Sequence, residues 1–132
     1  MMEVRGEPSA AQFRSVLVHN YEGEVPRDIV WDVRSGSAGA LDTRSVRTMA
    51  ELIRDRARLR VGGRTAVIAP RDLDYGVSRM VESRVMAMRL PITYQTFRTV
   101  EEALAAVELP RERFEALLAA AMPLEVPREP LR

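Results

Sequence analysis

Two aspartates and an arginine stand close together in the segment 64–80, RTAVIAPRDLDYGVSRM. Asp72 and Asp74 could form an acid pair for general acid–base catalysis, and Arg79 could bind a phosphate or a carboxylate. Each also has a structural explanation, because aspartate is a common helix cap and a helical arginine often pairs with a nearby acid. The sequence favours the structural explanations and leaves the functional ones open.

Asp32 is a carboxylate inside an otherwise apolar run, DIVWDVR at 28–34. A buried carboxylate is costly unless it is hydrogen-bonded, so Asp32 should contact either a ligand or the N–H groups of the following loop. That loop, SGSAGALD at 35–42, could cradle an anion, but it has no P-loop lysine, and a flexible connection is the simpler interpretation. The candidate binding residues of this region are Asp32, Arg34, Ser35 and Ser37.

The remaining reactive side chains are few. The chain has one histidine, His19, and no cysteine, which excludes disulfides, thiolate metal sites and cysteine nucleophiles. Met80, Met86 and Met88 could line a pliable pocket, although methionine more often fills gaps in a core. We therefore predict no metal site, no cofactor and no catalytic residues, and hence no enzyme.

Charge and hydropathy limit the classes of partner. The 20 basic residues, all arginine, nearly balance 19 acidic ones, and the net charge of +1 gives no reason to expect nucleic acid or an anionic membrane. No apolar segment has the length of a signal peptide core or of a membrane span. We expect a cytoplasmic domain with no membrane insertion, and 132 residues suffice for one hydrophobic core.

Strand and helix patterns alternate along the chain. The runs 28–34 and 65–70 are almost wholly apolar, as in strands covered on both faces, and PITYQTF at 91–97 alternates as a strand does. This order predicts a mostly parallel α/β sheet whose ligands would gather at the carboxyl ends of the strands. Helices are predicted to begin near Ser9, Asp42 or Thr43, Asp72 or Asp74, Thr99 and Pro110.

Three short motifs follow one another in a recognisable order. They are an apolar–Asp–apolar step at 30–33, the turn GVSRM at 76–80 and the strand-to-helix junction TFRTVEEAL at 96–104. In this order they resemble the SpoIIAA-like family of STAS-type domains, over roughly residues 3–107. The resemblance implies an α/β sheet of about four mostly parallel strands with helices packed against it. Residues 1–121 would form this domain with an extra C-terminal helix, and 122–132 a Pro-rich tail that we expect to be extended and mobile.

STAS-type domains are mostly not enzymes, so the resemblance implies a non-catalytic regulatory or protein-interaction module with a protein partner. In the phosphorylation-switched members a turn Asp-Ser-Ser-Gly carries the phosphoacceptor serine. The matching turn here is LDTRS, in which Asp42 is retained, Thr43 could be the acceptor and the glycine is absent. The alternatives are a carrier or sensor of a small apolar or anionic ligand at the strand ends and, last, a hydrolase that uses the aspartates.

The segment 72–80 is predicted to point at the strand ends. Asp72 or Asp74 should cap the helix, Gly76 should let Tyr75 sit close to a neighbouring loop, and Arg79 should lean back toward Asp32. The candidate binding residues of this segment are Asp74, Tyr75 and Arg79.

The last helix predicts an oligomeric state. Its apolar stripe must cover either its own sheet or a neighbouring molecule, and we expect the second, in a two-fold homodimer. The stripe consists of Phe114, Leu117, Leu118 and Ala121.

Overall fold

The computed structural model describes residues 1–19 and 25–121, together with the backbone of residues 124–125. The strands are β1 (Met2–Arg5), β2 (Ile29–Asp32), β3 (Arg64–Ile68), β4 (Thr93–Phe97) and β5 (Leu124–Glu125). The helices are α1 (Ala10–His19), α2 (Thr43–Arg56), α3 (Asp72–Ala87), α4 (Val100–Ala106) and α5 (Arg111–Ala120), with a 3₁₀ turn at Ala57–Arg60. Within these described ranges no helix is both long enough and apolar enough to cross a bilayer.

The strands form one parallel sheet in the order β4-β3-β2-β1-β5. The two apolar runs are adjacent and parallel near its centre, as predicted, with Asp32 opposite Ile68 at their carboxyl ends. The prediction of about four mostly parallel strands is confirmed by β1 to β4, and the predicted tail adds the two-residue β5 beside β1. An open sheet edge can pair with the backbone of almost any segment, whatever its side chains. A strand of only two residues is also too short to show an alternating pattern in the sequence.

The direction of the crossovers explains the two helical layers. Strands β1 to β4 follow one another across the sheet, so right-handed crossovers place α1, α2 and α3 on one face. The connection from β4 back to β5 runs the other way, and α4 and α5 therefore cover the opposite face. The sheet is covered on both sides, which is why β2 and β3 are mostly apolar and all their residues except Arg64 are buried.

Capping side chains begin three of the helices where the sequence predicts them. At α1 the Ser9 and Gln12 side chains each bind the other residue's backbone N–H, at 3.2 and 2.7 Å. Asp42 accepts the Ser45 N–H at 2.8 Å before α2, and Thr99 accepts the Glu102 N–H at 3.3 Å before α4. These caps are local in sequence, which is why they are predictable.

The stripe on α5 covers its own sheet rather than a neighbouring molecule. Phe114 is completely buried with Val30 and Ile68, and Leu118 packs against the same cluster. Leu117 is 37% exposed and lies on the flank of the helix. The reason given for a two-fold dimer is therefore removed, since the intramolecular alternative accounts for the stripe.

Candidate functional site

Asp74 joins the loop after β2 to the first turn of α3. Its side chain is only 2% exposed. One carboxylate oxygen accepts the Ala38 N–H at 2.8 Å and the Ser37 hydroxyl at 3.2 Å, and the other accepts Arg71 Nε at 2.8 Å. The loop 35–42 is thus anchored to α3 and is not the flexible connection that its glycines suggested.

Neither aspartate caps α3, so that prediction was wrong. The N-cap residue is Arg71, whose side chain makes no capping hydrogen bond. Asp72 points outward, 93% exposed, and pairs with Arg98 at 2.8 Å. Asp74 is the third residue of the helix, and its carboxylate accepts the Ala38 N–H, which belongs to a loop distant in sequence. Preferences for helix caps, which concern only neighbouring residues, cannot predict such a contact.

The arginine that reaches the strand ends is Arg71 and not Arg79. Arg71 donates to the carbonyl oxygens of Val33 at 2.9 Å and Arg34 at 3.1 Å. Arg79 is half exposed and pairs with Glu82, one turn further along α3. Its predicted direction toward Asp32 was wrong because an acid three residues away lies within reach on the same helix.

Gly76 and Tyr75 also differ from the prediction. A Cβ added at Gly76 would meet nothing within 4 Å, so no neighbouring loop approaches there. Tyr75 is half-buried, and the guanidinium carbon of Arg98 lies 4.1 Å from its ring centroid. The ring supports a surface arginine through a cation–π contact.

Asp32 is satisfied by its own strand end. The carboxylate is 3% exposed and accepts Arg34 Nε at 2.9 Å, Arg34 Nη2 at 2.8 Å and the Arg34 backbone N–H at 3.1 Å. This hydrogen bonding raises the pKa of the Arg34 guanidinium, which also lies 5.6 Å from the Phe114 ring centroid. Asp32 is thus engaged by Arg34, and Ser35 beside it is exposed.

A second buried acid, which sequence reasoning missed, lies beside Asp32. Glu3 is 8% exposed and stands opposite Asp32 in the β1–β2 register, so the two carboxylates occupy the same face. Glu3 accepts a hydrogen bond from Arg5, as Asp32 does from Arg34. The signal was present as a repeat, EVR at 3–5 and DVR at 32–34.

An arginine follows or ends each of the first four strands, and each one is paired with a carboxylate. Arg71 and Arg98 each also donate to a carbonyl at the end of the neighbouring strand or its loop. The pairs are Arg5–Glu3, Arg34–Asp32, Arg71–Asp74 and Arg98–Asp72. Each acid at this carboxyl edge, including the neighbouring Glu3 and Asp32, is thus held by an arginine, and the edge serves to fasten loops.

Two further predicted features can be placed. Thr43 is exposed as the first residue of α2, directly after Asp42. Hydrogen bonds from the Ser45 N–H and hydroxyl lower the pKa of Asp42.

Within the described residues no group of three or more His, Cys, Asp or Glu could hold a metal ion. Phosphorylation of Thr43 stays a prediction.

One interior cavity lies between the sheet and the α1–α3 layer. Its volume is about 60 Å³, and its walls include Trp31, Met49 and Val77 with the hydroxyl-bearing Ser78 and Tyr94. Sites for drug-sized ligands are about 300–1,000 Å³, so this cavity has room for water and not for the cargo of a carrier. Met80 and Met86 do not line it; they are 42% and 53% exposed.

The outer surface between α2 and α3 combines exposed apolar side chains with arginines. On α3, Leu73 lies four residues before the buried Val77 and is 63% exposed. Met80 lies three residues after Val77 and is 42% exposed. On α2, Arg47 and Arg54 flank the buried Ala50 in the same way. We call the surface formed by Arg47, Arg54, Leu73, Gly76 and Met80 the α2–α3 groove.

Contacts of Leu73 support this placement. Its Cδ2 lies 3.1 Å from the position that a Cβ on Gly39 would occupy, in the loop that leads into α2. Helices α2 and α3 are also direct neighbours in the layer. Large apolar side chains that protrude beside arginines are the composition found at the centre of protein interfaces.

Comparisons with known proteins return no family model, no curated protein and no solved structure that matches this chain. The fold defines an α/β protein with a parallel sheet covered on both faces.

Proposed function

We propose that this chain is a non-catalytic regulatory or protein-interaction module of STAS type, which binds a protein partner in the α2–α3 groove. The observation that carries the proposal is the exposure of Leu73 and Met80 on one flank of α3. The order of sequence motifs and the parallel α/β sheet support the STAS assignment. We place the module in the cytoplasm.

The shape of the groove suits a helix or an extended segment. Leu73 and Met80 are seven residues apart and lie on the same flank, with Gly76 between them. Because nothing lies within 4 Å of a Cβ at Gly76, a partner side chain can enter there and contact both. Burying the exposed part of each apolar side chain would contribute about 1 kcal/mol, and Arg47 and Arg54 offer donors to acids at the rim.

The other described features give less support to a carrier or an enzyme. Each carboxylate at the strand ends is held by an arginine, and the interior cavity is smaller than a ligand site. Thr43 stands one turn before Arg47 on α2. In our proposal a phosphate there would be favoured by the helix N-terminus and would change the charge at the groove, which makes Thr43 the regulatory position.

The test is affinity capture with three baits, followed by quantitative mass spectrometry. The baits are the unaltered chain, the groove variant Leu73→Glu/Met80→Glu and the control Val61→Glu, whose side chain is 66% exposed in the turn before β3. We expect at least one protein to be enriched by the unaltered and control baits and lost with the groove variant. A partner set that is identical for all three baits would overturn the proposal.

Folding of the variants is checked independently. All substituted side chains are exposed, so each variant should keep the circular dichroism spectrum and unfolding midpoint of the unaltered chain. A groove variant that folds and still captures every partner places the binding surface elsewhere.

A further inference from the structure

We infer that strand β4 pairs along its free edge with β4 of a second copy of the chain, antiparallel and about a two-fold axis. The α2–α3 groove lies on one flank of α3, whereas Glu82 on another flank faces β4. The two surfaces are therefore separate, and the inference does not rest on the proposed function. It also differs from the dimer expected from the sequence, which was to use the stripe on α5.

The outer edge of β4 carries backbone groups that no strand covers. Among the described strands β4 lies at one end of the sheet and pairs only with β3. The Thr93 N–H and the Phe97 carbonyl form hydrogen bonds of 2.9 and 2.8 Å toward the β3 side. Successive residues of a strand direct their backbone groups to opposite edges, so those of Tyr94 and Thr96 point away from β3. Another strand can be added to such groups.

Glu82 determines which register the added strand can take. Its carboxylate, in a residue that is 8% exposed, accepts the Thr96 N–H at 2.8 Å. The Tyr94 N–H has no such acceptor among the described residues. A symmetric pair centred on Gln95 or Thr96 would need the Thr96 N–H. A pair centred on Tyr94 instead joins the Tyr94 N–H of each copy to the Tyr94 carbonyl of the other, and leaves Glu82 in place.

The side chains of β4 suit pairing with an identical strand. In the register centred on Tyr94, Thr93 of one copy lies opposite Gln95 of the other, on both sides of the axis. Both side chains are exposed and uncharged, so the pair brings no like charges together. Edge strands that are protected against pairing often carry lysine or proline, and β4, TYQTF, contains neither.

An exposed apolar side chain stands beside the same edge. Met86 follows Glu82 by four residues on α3, so the two lie on the flank that faces the edge of β4. Met86 is 53% exposed. Strand pairing would bring the α3 helices of the two copies together and cover this side chain. The acid at the junction, Glu82, is already paired with Arg79 and adds no uncompensated charge.

The first experiment is sedimentation velocity on the full chain, from low micromolar to near-millimolar concentration. We expect a monomer–dimer equilibrium without larger species, because a two-fold contact is closed. A chain that remains monomeric over the whole range, or that forms larger species, would overturn the inference.

The second experiment places charges on the edge. Thr93→Lys/Gln95→Lys and Thr93→Glu/Gln95→Glu each set two pairs of like charges across the axis, and each should raise the dissociation constant about tenfold. An equimolar mixture should recover association, because each lysine then faces a glutamate. The control Ala11→Lys/Ser15→Lys alters two exposed positions of α1 and should leave association unchanged. A mixture that stays as weak as its components, or a control that weakens association equally, would contradict the pairing.

The two proposals can fail separately. Leu73→Glu/Met80→Glu should abolish capture of a partner and leave the monomer–dimer equilibrium unaltered, whereas the β4 variants should do the reverse. Loss of the dimer in the groove variant would place the self-association in the groove and exclude the β4 edge.

Discussion

The carboxylate of Asp74 accepts the backbone N–H of Ala38 at 2.8 Å, although the two residues are 36 positions apart in the sequence. This bond decides the character of the corner between β3 and α3. A carboxylate that would otherwise cap its own helix instead fixes the loop after β2, and Arg71 neutralises it. The corner is therefore a structural junction, and the exposed apolar side chains of α3, Leu73 and Met80, lie on another flank of the helix.

Asp74→Ala should lower the free energy of unfolding by about 3 kcal/mol, because it leaves the Ala38 N–H without an acceptor and the Arg71 guanidinium without its counter-charge. Urea denaturation measures the loss. Asp72→Ala is the matched control and should change stability by no more than about 0.5 kcal/mol, since Asp72 makes only an exposed ion pair. Equal losses in both variants would refute the assignment of Asp74 as the junction.

The two arginines of this region should behave differently. Arg71→Ala removes two hydrogen bonds to the carbonyls that follow β2 and one to Asp74 in α3, and we expect it to cost about 2 kcal/mol. Arg79→Ala removes only the ion pair with the buried Glu82, whose carboxylate keeps the Thr96 N–H at 2.8 Å, and it should cost less, about 1 kcal/mol. Thermal unfolding of both variants side by side distinguishes them, and a larger loss for Arg79 would reverse our assignment.

Phe114→Ala should cost about 3 to 5 kcal/mol, because the ring is completely buried between α5 and the sheet. Leu117→Ala, three residues along the same helix, should stay within about 0.5 kcal/mol. The comparison tests whether α5 packs on its own molecule. A stability loss for Phe114→Ala that appears only at high protein concentration would instead place the ring in an interface.

Stability should fall in alkaline solution through Tyr94. Burial raises the pKa of this tyrosine to about 12, whereas in the unfolded chain it has its ordinary value of 10.0. Below pH 10 the Tyr94 hydroxyl is protonated in both the folded and the unfolded chain. Between pH 10 and 12 it is protonated only in the folded chain, so the free energy of unfolding declines as the pH rises. The decline should reach at most about 3 kcal/mol.

Denaturation at several pH values measures this effect, and Tyr94→Phe is its control. The variant lacks the titrating group and should lose less stability between pH 10 and 12 than the unaltered chain. Tyrosinate absorbance should also show Tyr94 ionising only as the chain unfolds. An equally steep decline in the variant would assign the alkaline sensitivity to other groups.

The features of this fold that the sequence predicted depend on residues close together in the chain. Ser9 and Gln12, Asp42 and Thr99 act through the N–H groups of their own helices, so their sequence context contained all the information needed. The adjacency of β2 and β3 followed from their apolar composition, because strands buried on both faces must lie inside the sheet. Asp32 was correctly expected to need hydrogen bonds, and its own strand end provides them.

Contacts between residues distant in sequence could not be predicted from local patterns. Asp74 is a residue type that commonly caps helices, and only the path of the loop after β2 placed the Ala38 N–H beside it. The alignment of Glu3 with Asp32 depends on which strands are neighbours, and the burial of Phe114 depends on the direction in which the chain returns across the sheet. By itself the sequence determined the helix starts, the central strands and the α/β class. The tertiary structure alone decided which loop the buried Asp74 holds and which apolar side chains stay exposed, because both depend on distances between segments that local periodicity does not encode.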